Sequence, residues 1–229
     1  MSPSAASPEI RIATQRVAML SVATAAILIV VKAIAWQASG SVAILASLSD
    51  SALDLVASLI TVYAVRYAAE PPDAEHRFGH GKAEAFSSLI QGGLVFASGA
   101  LVGREAINAW LNPQPVEHGL AGVAVMAISI VLTLALITAQ TRVVKASGSI
   151  AISGDRAHYA ADLASNAVAL VGVGAAAWLG LPRVDAAAGL IVALWLIWGA
   201  VGVFREASHQ LMDHELPDED RQKIVALVT

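Results

Sequence analysis

Residues 17–36 read VAMLSVATAAILIVVKAIAW, a stretch with a single full charge, Lys32. A hydrocarbon core about 30 Å thick is crossed by about 20 helical residues, so this segment alone is long enough to span a bilayer. Working outward, further charge-free windows follow at 33–49, 85–103, 119–141, 163–182 and 186–204. The whole chain of 229 residues is 57% hydrophobic and 14% charged, with a mean hydropathy of +0.67. Soluble domains average about 45–50% apolar and about 25% charged, so a soluble enzyme and a disordered tail are both excluded. The net charge of -4 excludes a nucleic-acid binder. With no cysteine, disulfides and thiolate metal sites are impossible, and any metal must be held by oxygen and nitrogen.

The fold expected is an all-α membrane protein, a bundle of six transmembrane helices at about 17–36, 41–67, 82–110, 119–143, 156–180 and 185–207. Lipid cannot satisfy exposed backbone groups, which leaves helices or a closed barrel, and barrel-type alternation is absent. The first span, preceded by Arg11 and Arg16, imitates a secretory signal, but Lys32 interrupts it and further spans follow. Breaks fall at Ser39-Gly40, Pro71-Pro72, the run from Asn112 to Pro115, Gly148 and Leu181-Pro182. Gly99-x-x-x-Gly103 is a small-residue packing motif, read as ordinary close packing inside the bundle. The organisation expected is an N-terminal cytoplasmic segment 1–16, a membrane domain 17–208, and, at 209–229, the start of a cytoplasmic C-terminal domain otherwise missing. The last of these rests on a cap and a nascent amphipathic helix after Leu216, too short to bury a core.

Basic residues set the orientation. Eleven of them (Arg11, Arg16, Arg66, Arg77, Lys82, Arg142, Lys145, Arg156, Arg205, Arg221 and Lys223) share one side of a six-span topology, against Arg183 on the other. Both termini are therefore expected in the cytoplasm. Lys32 and Arg104 lie within spans, towards the outer ends, where they would snorkel.

Carboxylates inside an apolar span carry the functional signal, since each costs about 2.5–3.5 kcal/mol on the translocon scale unless compensated. Asp50 and Asp54 lie four apart in the second span, on one helix face, with no Lys or Arg in that span before Arg66, three turns beyond them. On a soluble helix such a pair would be a solvated face; in lipid it points to a site. His158 and Asp162 repeat the spacing in the fifth span, where a lone His would more often be a satisfied core residue. Together the two pairs supply three carboxylates and one imidazole, the count and type for a tetrahedral divalent cation. The imidazole favours Zn²⁺ over Mn²⁺, Fe²⁺, Co²⁺ and Cd²⁺, all of which such a donor set accepts. Carboxylates crowded in a low dielectric cannot all ionise, so protons would occupy the empty site and leave as metal enters. A cation-for-proton site reachable from alternate sides is an antiporter.

The connection between the second and third spans holds Asp73, His76 and His80, three ligand-type groups within eight residues on a Gly-containing loop. A polar loop that happens to contain His is the bland alternative. Glu84 reads as a helix-dipole partner of its own span and Asp155 and Arg156 as caps of the fifth. Arg104 and Glu105 read as an interfacial anchor and its neighbour, His118 as solvated, and the run His209, Asp213, His214 and Glu215 as solvated charge.

Three stretches in order, SLSDSALD at 47–54, HRFGHGKAE at 76–84 and HYAAD at 158–162, resemble the cation diffusion facilitator family, especially its bacterial zinc and iron efflux members. The resemblance runs from about residue 15 to 225. It implies a central transport site at Asp50, Asp54, His158 and Asp162, a loop site at Asp73, His76 and His80, and a homodimer in the bacterial inner membrane that exports divalent metal against inward proton flow. It also implies a pairing of Lys82 with Asp213, and a cytoplasmic ferredoxin-like domain at whose threshold this sequence stops. Two other classes share some features. A passive cation channel would use the acidic residues but lose from a tight four-ligand site. An intramembrane metalloenzyme would need a nearby general base, and His-Glu-x-x-His, Gly-x-Ser-Gly and Gly-x-Gly-Asp are all missing.

Overall fold

The computed structural model describes residues 8–40, 42–112, 120–179 and 182–213. They form six helices: α1 (Pro8–Ser39), α2 (Val42–Ala68), α3 (Lys82–Leu111), α4 (Leu120–Ser147), α5 (Ile150–Leu179) and α6 (Pro182–Leu211). No strand occurs among the described residues. Among the described residues, five helices are apolar and long enough to cross a membrane. The first half of α5 carries Asp155, Arg156, His158 and Asp162.

Two boundaries differ from those expected. Pro8 opens α1 nine residues before the apolar run, because fixed φ and a missing N–H suit a first helical turn. The fifth helix begins at Ile150 rather than near 156, since the break after α4 is a single tight one. Gly148 takes φ 65° and its N–H bonds to the Val144 carbonyl at 2.8 Å, ending α4 in the left-handed conformation that glycine adopts without a Cβ clash. Asp155 and Arg156 are therefore interior to α5 and cap nothing. The break expected at 113–115, the residue His118, and His214, Glu215 and the tail 216–229 lie outside the described residues.

α3 packs most extensively on α6 and α1 on α2, and α5 touches each of the other five helices. One apolar cluster joins α1, α2 and α5 through Val17, Ala18, Val62, Val65, Ala151 and Ile152. Another joins α3, α5 and α6 through Val95, Ala161, Leu196 and Ala200. Large apolar side chains such as Val30, Val56, Leu59, Leu194 and Trp198 point outward on helices that lipid would surround.

The Gly99-x-x-x-Gly103 motif lies on the α3–α6 seam. A Cβ on Gly99 would lie 3.1 Å from Leu196 Cβ and 3.3 Å from the Ala193 carbonyl oxygen, and one on Gly103 3.3 Å from Ala193 Cβ. Close backbone approach of this kind is how helices associate where water supplies no hydrophobic drive. Gly99→Leu is expected to force the seam apart and destabilise the bundle by about 2 kcal/mol. Gly93→Leu, at a position with nothing within 4 Å of the added Cβ, is expected to be neutral. Thermal unfolding of both in detergent checks the pair, and equal melting would contradict the seam.

Candidate metal centre

His158 is 4% exposed and Asp54 8%, and they meet across the α5–α2 interface. The His158 Nε2 lies 3.0 Å from Asp54 Oδ1 and 3.8 Å from Asp162 Oδ2. Four donors at about 2.0–2.1 Å from a tetrahedral ion would stand about 3.3 Å from one another, so these separations bracket that value. Asp162 Oδ2 is buried without a hydrogen-bond partner, and so is His158 Nδ1 on the other edge of the ring. A buried carboxylate oxygen aimed at two other ligand atoms with nothing bound to it is chemically suited to a cation.

The Asp54, His158 and Asp162 ligand atoms all lie within 4.8 Å of one another. Asp50 stands one turn away on α2, exposed, and lines the same cavity without joining that close group. Besides these four residues, the cavity is walled by Leu28 and Lys32 of α1, Ser98 and Val102 of α3, Ser129 and Thr133 of α4, and Ser165 and Asn166 of α5. Those wall residues belong to the half of each helix away from the α2–α3 loop, so the cavity runs from the ligands towards that far end.

On the near side the helices close over a polar network that sequence reading missed. Asp155, fully buried, accepts hydrogen bonds from Ser21 of α1 at 2.6 Å, Gln91 of α3 at 3.1 Å and Gln140 of α4 at 2.7 Å. Gln91 also donates to Thr61 of α2 at 3.0 Å. The Tyr159 hydroxyl donates to the Ser21 carbonyl oxygen at 3.1 Å and lies 2.9 Å from Ser58 Oγ. Five helices thus share one hydrogen-bonded layer beneath His158. The sequence signal for it is Gln91 and Gln140, neutral amides in apolar spans.

Glu84 likewise serves a neighbour rather than its own helix. Its carboxylate accepts from Ser149 Oγ at 2.7 Å and from the Ala151 N–H at 3.4 Å, holding the first turn of α5. Lys82 Nζ reaches the Asp213 carboxylate at 2.9 Å and the Leu211 carbonyl at 3.1 Å, so α3 caps the end of α6. Lys32 does not snorkel: it is 5% exposed and turned inward.

The α2–α3 loop forms the second cluster. Asp73 Oδ1 accepts the backbone N–H of Glu75 at 2.9 Å and of His76 at 2.5 Å, while Asp73 Oδ2 lies 3.3 Å from His80 Nε2. His76 Nδ1 is 3.3 Å from Asp73 Oδ1. Gly79 has φ 82° and closes a turn onto the His76 carbonyl at 2.9 Å, which swings His80 back beneath the loop. Tyr67, at the end of α2, stacks edge-on against the His80 ring with centroids 4.5 Å apart. The ligand atoms of Asp73, His76 and His80 form a second group within 4.8 Å.

With both clusters placed, the relatives can be compared. The cation efflux transmembrane domain matches residues 18–212. The cation-efflux pump FieF of Klebsiella pneumoniae is 39% identical over 214 residues, covering 93% of this chain and 71% of that protein. The pumps of the same name from Cronobacter sakazakii and Yersinia pestis are 38% and 37% identical, over 93% of this chain and 71% and 70% of theirs. The chain belongs to the cation efflux, or cation diffusion facilitator, family. It is a multi-pass integral membrane transporter for efflux of divalent metal cations, and not an enzyme.

The Asp73 carboxyl is held below the usual carboxylate range, chiefly by the His76 N–H, against some desolvation, with the Glu75 N–H and the two imidazoles adding to the effect. A depressed value means that the turn's stabilisation is present above the ordinary carboxylate range and is lost as pH falls through the folded value. Asp73→Ala should reproduce that loss at neutral pH. Faster amide exchange at Glu75 and His76 is the expected result, and unchanged exchange would show that the turn does not depend on Asp73.

Proposed function

We propose that the protein exports zinc from the bacterial cytoplasm across the inner membrane, in exchange for protons, through a site built from Asp50, Asp54, His158 and Asp162. The observation that carries the reading is the convergence of Asp54, His158 and Asp162 inside the bundle, with an unpartnered carboxylate oxygen directed at the other two. Asp50 completes the set by a side-chain swing along the face of α2 that it shares with Asp54. The mixed imidazole and carboxylate donors suit Zn²⁺, and Cd²⁺, Fe²⁺, Co²⁺ or Mn²⁺ are the competitors.

Exchange follows from the surroundings. Crowded carboxylates in lipid need either a metal or protons, so loss of one invites the other. With the termini cytoplasmic, as the basic residues favour, the cavity faces outward and the layer around Asp155 and Tyr159 closes the inner side. Transport then alternates by rocking of the bundle about the site, as in other secondary carriers. That one-sided closure disfavours a passive channel. The loop cluster at Asp73, His76 and His80 lies at the inner mouth, placed to receive cytoplasmic metal, and the working unit is a homodimer, as in the family resemblance.

Asp54→Ala and His158→Ala are each expected to abolish proton-driven zinc uptake into proteoliposomes while the protein still inserts. Wild-type flux in either would remove the central site. His76→Ala with His80→Ala is expected to lower the rate at limiting zinc by about tenfold and leave exchange possible, in keeping with the 10–100-fold effects of disturbing metal-site partners. Complete loss would make the loop part of the main site. Zinc flux that ignores an imposed pH gradient would replace antiport by a channel.

A further inference from the structure

Lys32 is the only Lys or Arg among the described residues lining the cavity that holds Asp50, Asp54, His158 and Asp162. Its position on α1 would let a long side chain reach towards lipid headgroups, yet it is 5% exposed and bends to α2. There Nζ donates to the Ser47 carbonyl at 3.0 Å and to Ser51 Oγ at 2.6 Å. Ser47 and Ser51 are one turn apart and flank Asp50, so the ammonium is fastened to the turn that carries it. The carboxylates of Asp54, Asp162 and Asp50 line the same cavity.

The charges can be summed. Three carboxylates and one ammonium leave two negative charges, which a divalent cation cancels. Without the ammonium, the metal-loaded site would carry one uncompensated negative charge through the low-dielectric middle of the bilayer, where a single charge is costly. The same ammonium repels an incoming metal ion and so weakens its hold. We propose that Lys32 is a resident counter-charge of the transport site: it makes the metal-loaded site electrically neutral and keeps the metal loosely enough bound to be released. This rests on the central-site reading above and adds to it a residue that touches no metal. Lys32 is thus a positioning and charge-balancing residue.

The sign of the affinity change separates this role from a purely structural one. If Lys32 only braced the α2 turn, its loss would disorder Asp50 and weaken binding. If it balances charge, Lys32→Met, of similar length, should bind zinc about tenfold or more tightly and turn over about tenfold or more slowly. Lys32→Arg, which keeps the charge, should return both values towards wild type. The measurements are zinc calorimetry and proteoliposome flux on the full chain, in a background of Asp73→Ala, His76→Ala and His80→Ala so that one site is counted.

Asp54→Ala is measured beside them. If it binds zinc as the background does, the central site itself is wrong. If it loses zinc while Lys32→Met binds with unchanged or weaker affinity, or binds tightly at full turnover, only the role of Lys32 falls. Should Lys32→Met not fold, Lys32→Gln removes the charge and keeps a side-chain donor for the Ser47 carbonyl and Ser51 Oγ. Tighter zinc binding is then expected, and an unchanged or weaker affinity overturns the proposal.

Discussion

A charged group inside lipid must face a partner, and the contact between His158 and Asp54, 3.0 Å across the α5–α2 interface, is where that constraint is met most directly. It fixes the rotation of both helices. Once Asp54 and His158 turn inward, the i, i+4 spacing brings Asp50 and Asp162 to the same cavity, and the opposite face of α2 is left to Val56 and Leu59 against lipid.

Beneath that contact lies a different kind of polar structure. Asp155 gathers donors from α1, α3 and α4, and Tyr159 adds a link to α1 and α2, so five helices are tied into one layer in which only the Gln91 and Gln140 side-chain oxygens, among the described residues, lack a partner. A hydrogen-bonded network of this kind rigidifies the helices that enter it. The two layers lie about one turn apart on α5, which leaves the Asp54, His158 and Asp162 group closed on one side and open to the cavity on the other. Glu84 on α5 and Lys82 on Asp213 tie α3 to the ends of the helices that must move with it.

The loop cluster depends on local chemistry instead. Asp73 caps the turn with backbone N–H groups, Gly79 reverses the chain, and Tyr67 supplies a wall for His80. Its ligands are contiguous in the chain, so short-range geometry alone brings them together. The two pairs of the proposed transport site, Asp50 with Asp54 and His158 with Asp162, are separated by about a hundred residues and need the whole bundle.

That difference sets what could be read from the chain alone. Helical spans and their number follow from apolar run length, and the shared faces of Asp50 with Asp54 and of His158 with Asp162 follow from helical periodicity, because both are local properties of one segment. Asp155 as a buried hub, Glu84 holding α5, Lys32 bonded to Ser47 and Ser51, and Asp50 standing a turn apart from the other ligands were settled only by the folded bundle. Each depends on which neighbouring helix lies opposite and at what height. Apolar spans carry few residues that say so, and close glycine seams such as Gly99 against Leu196 decide the height by shape, which a one-dimensional pattern does not encode.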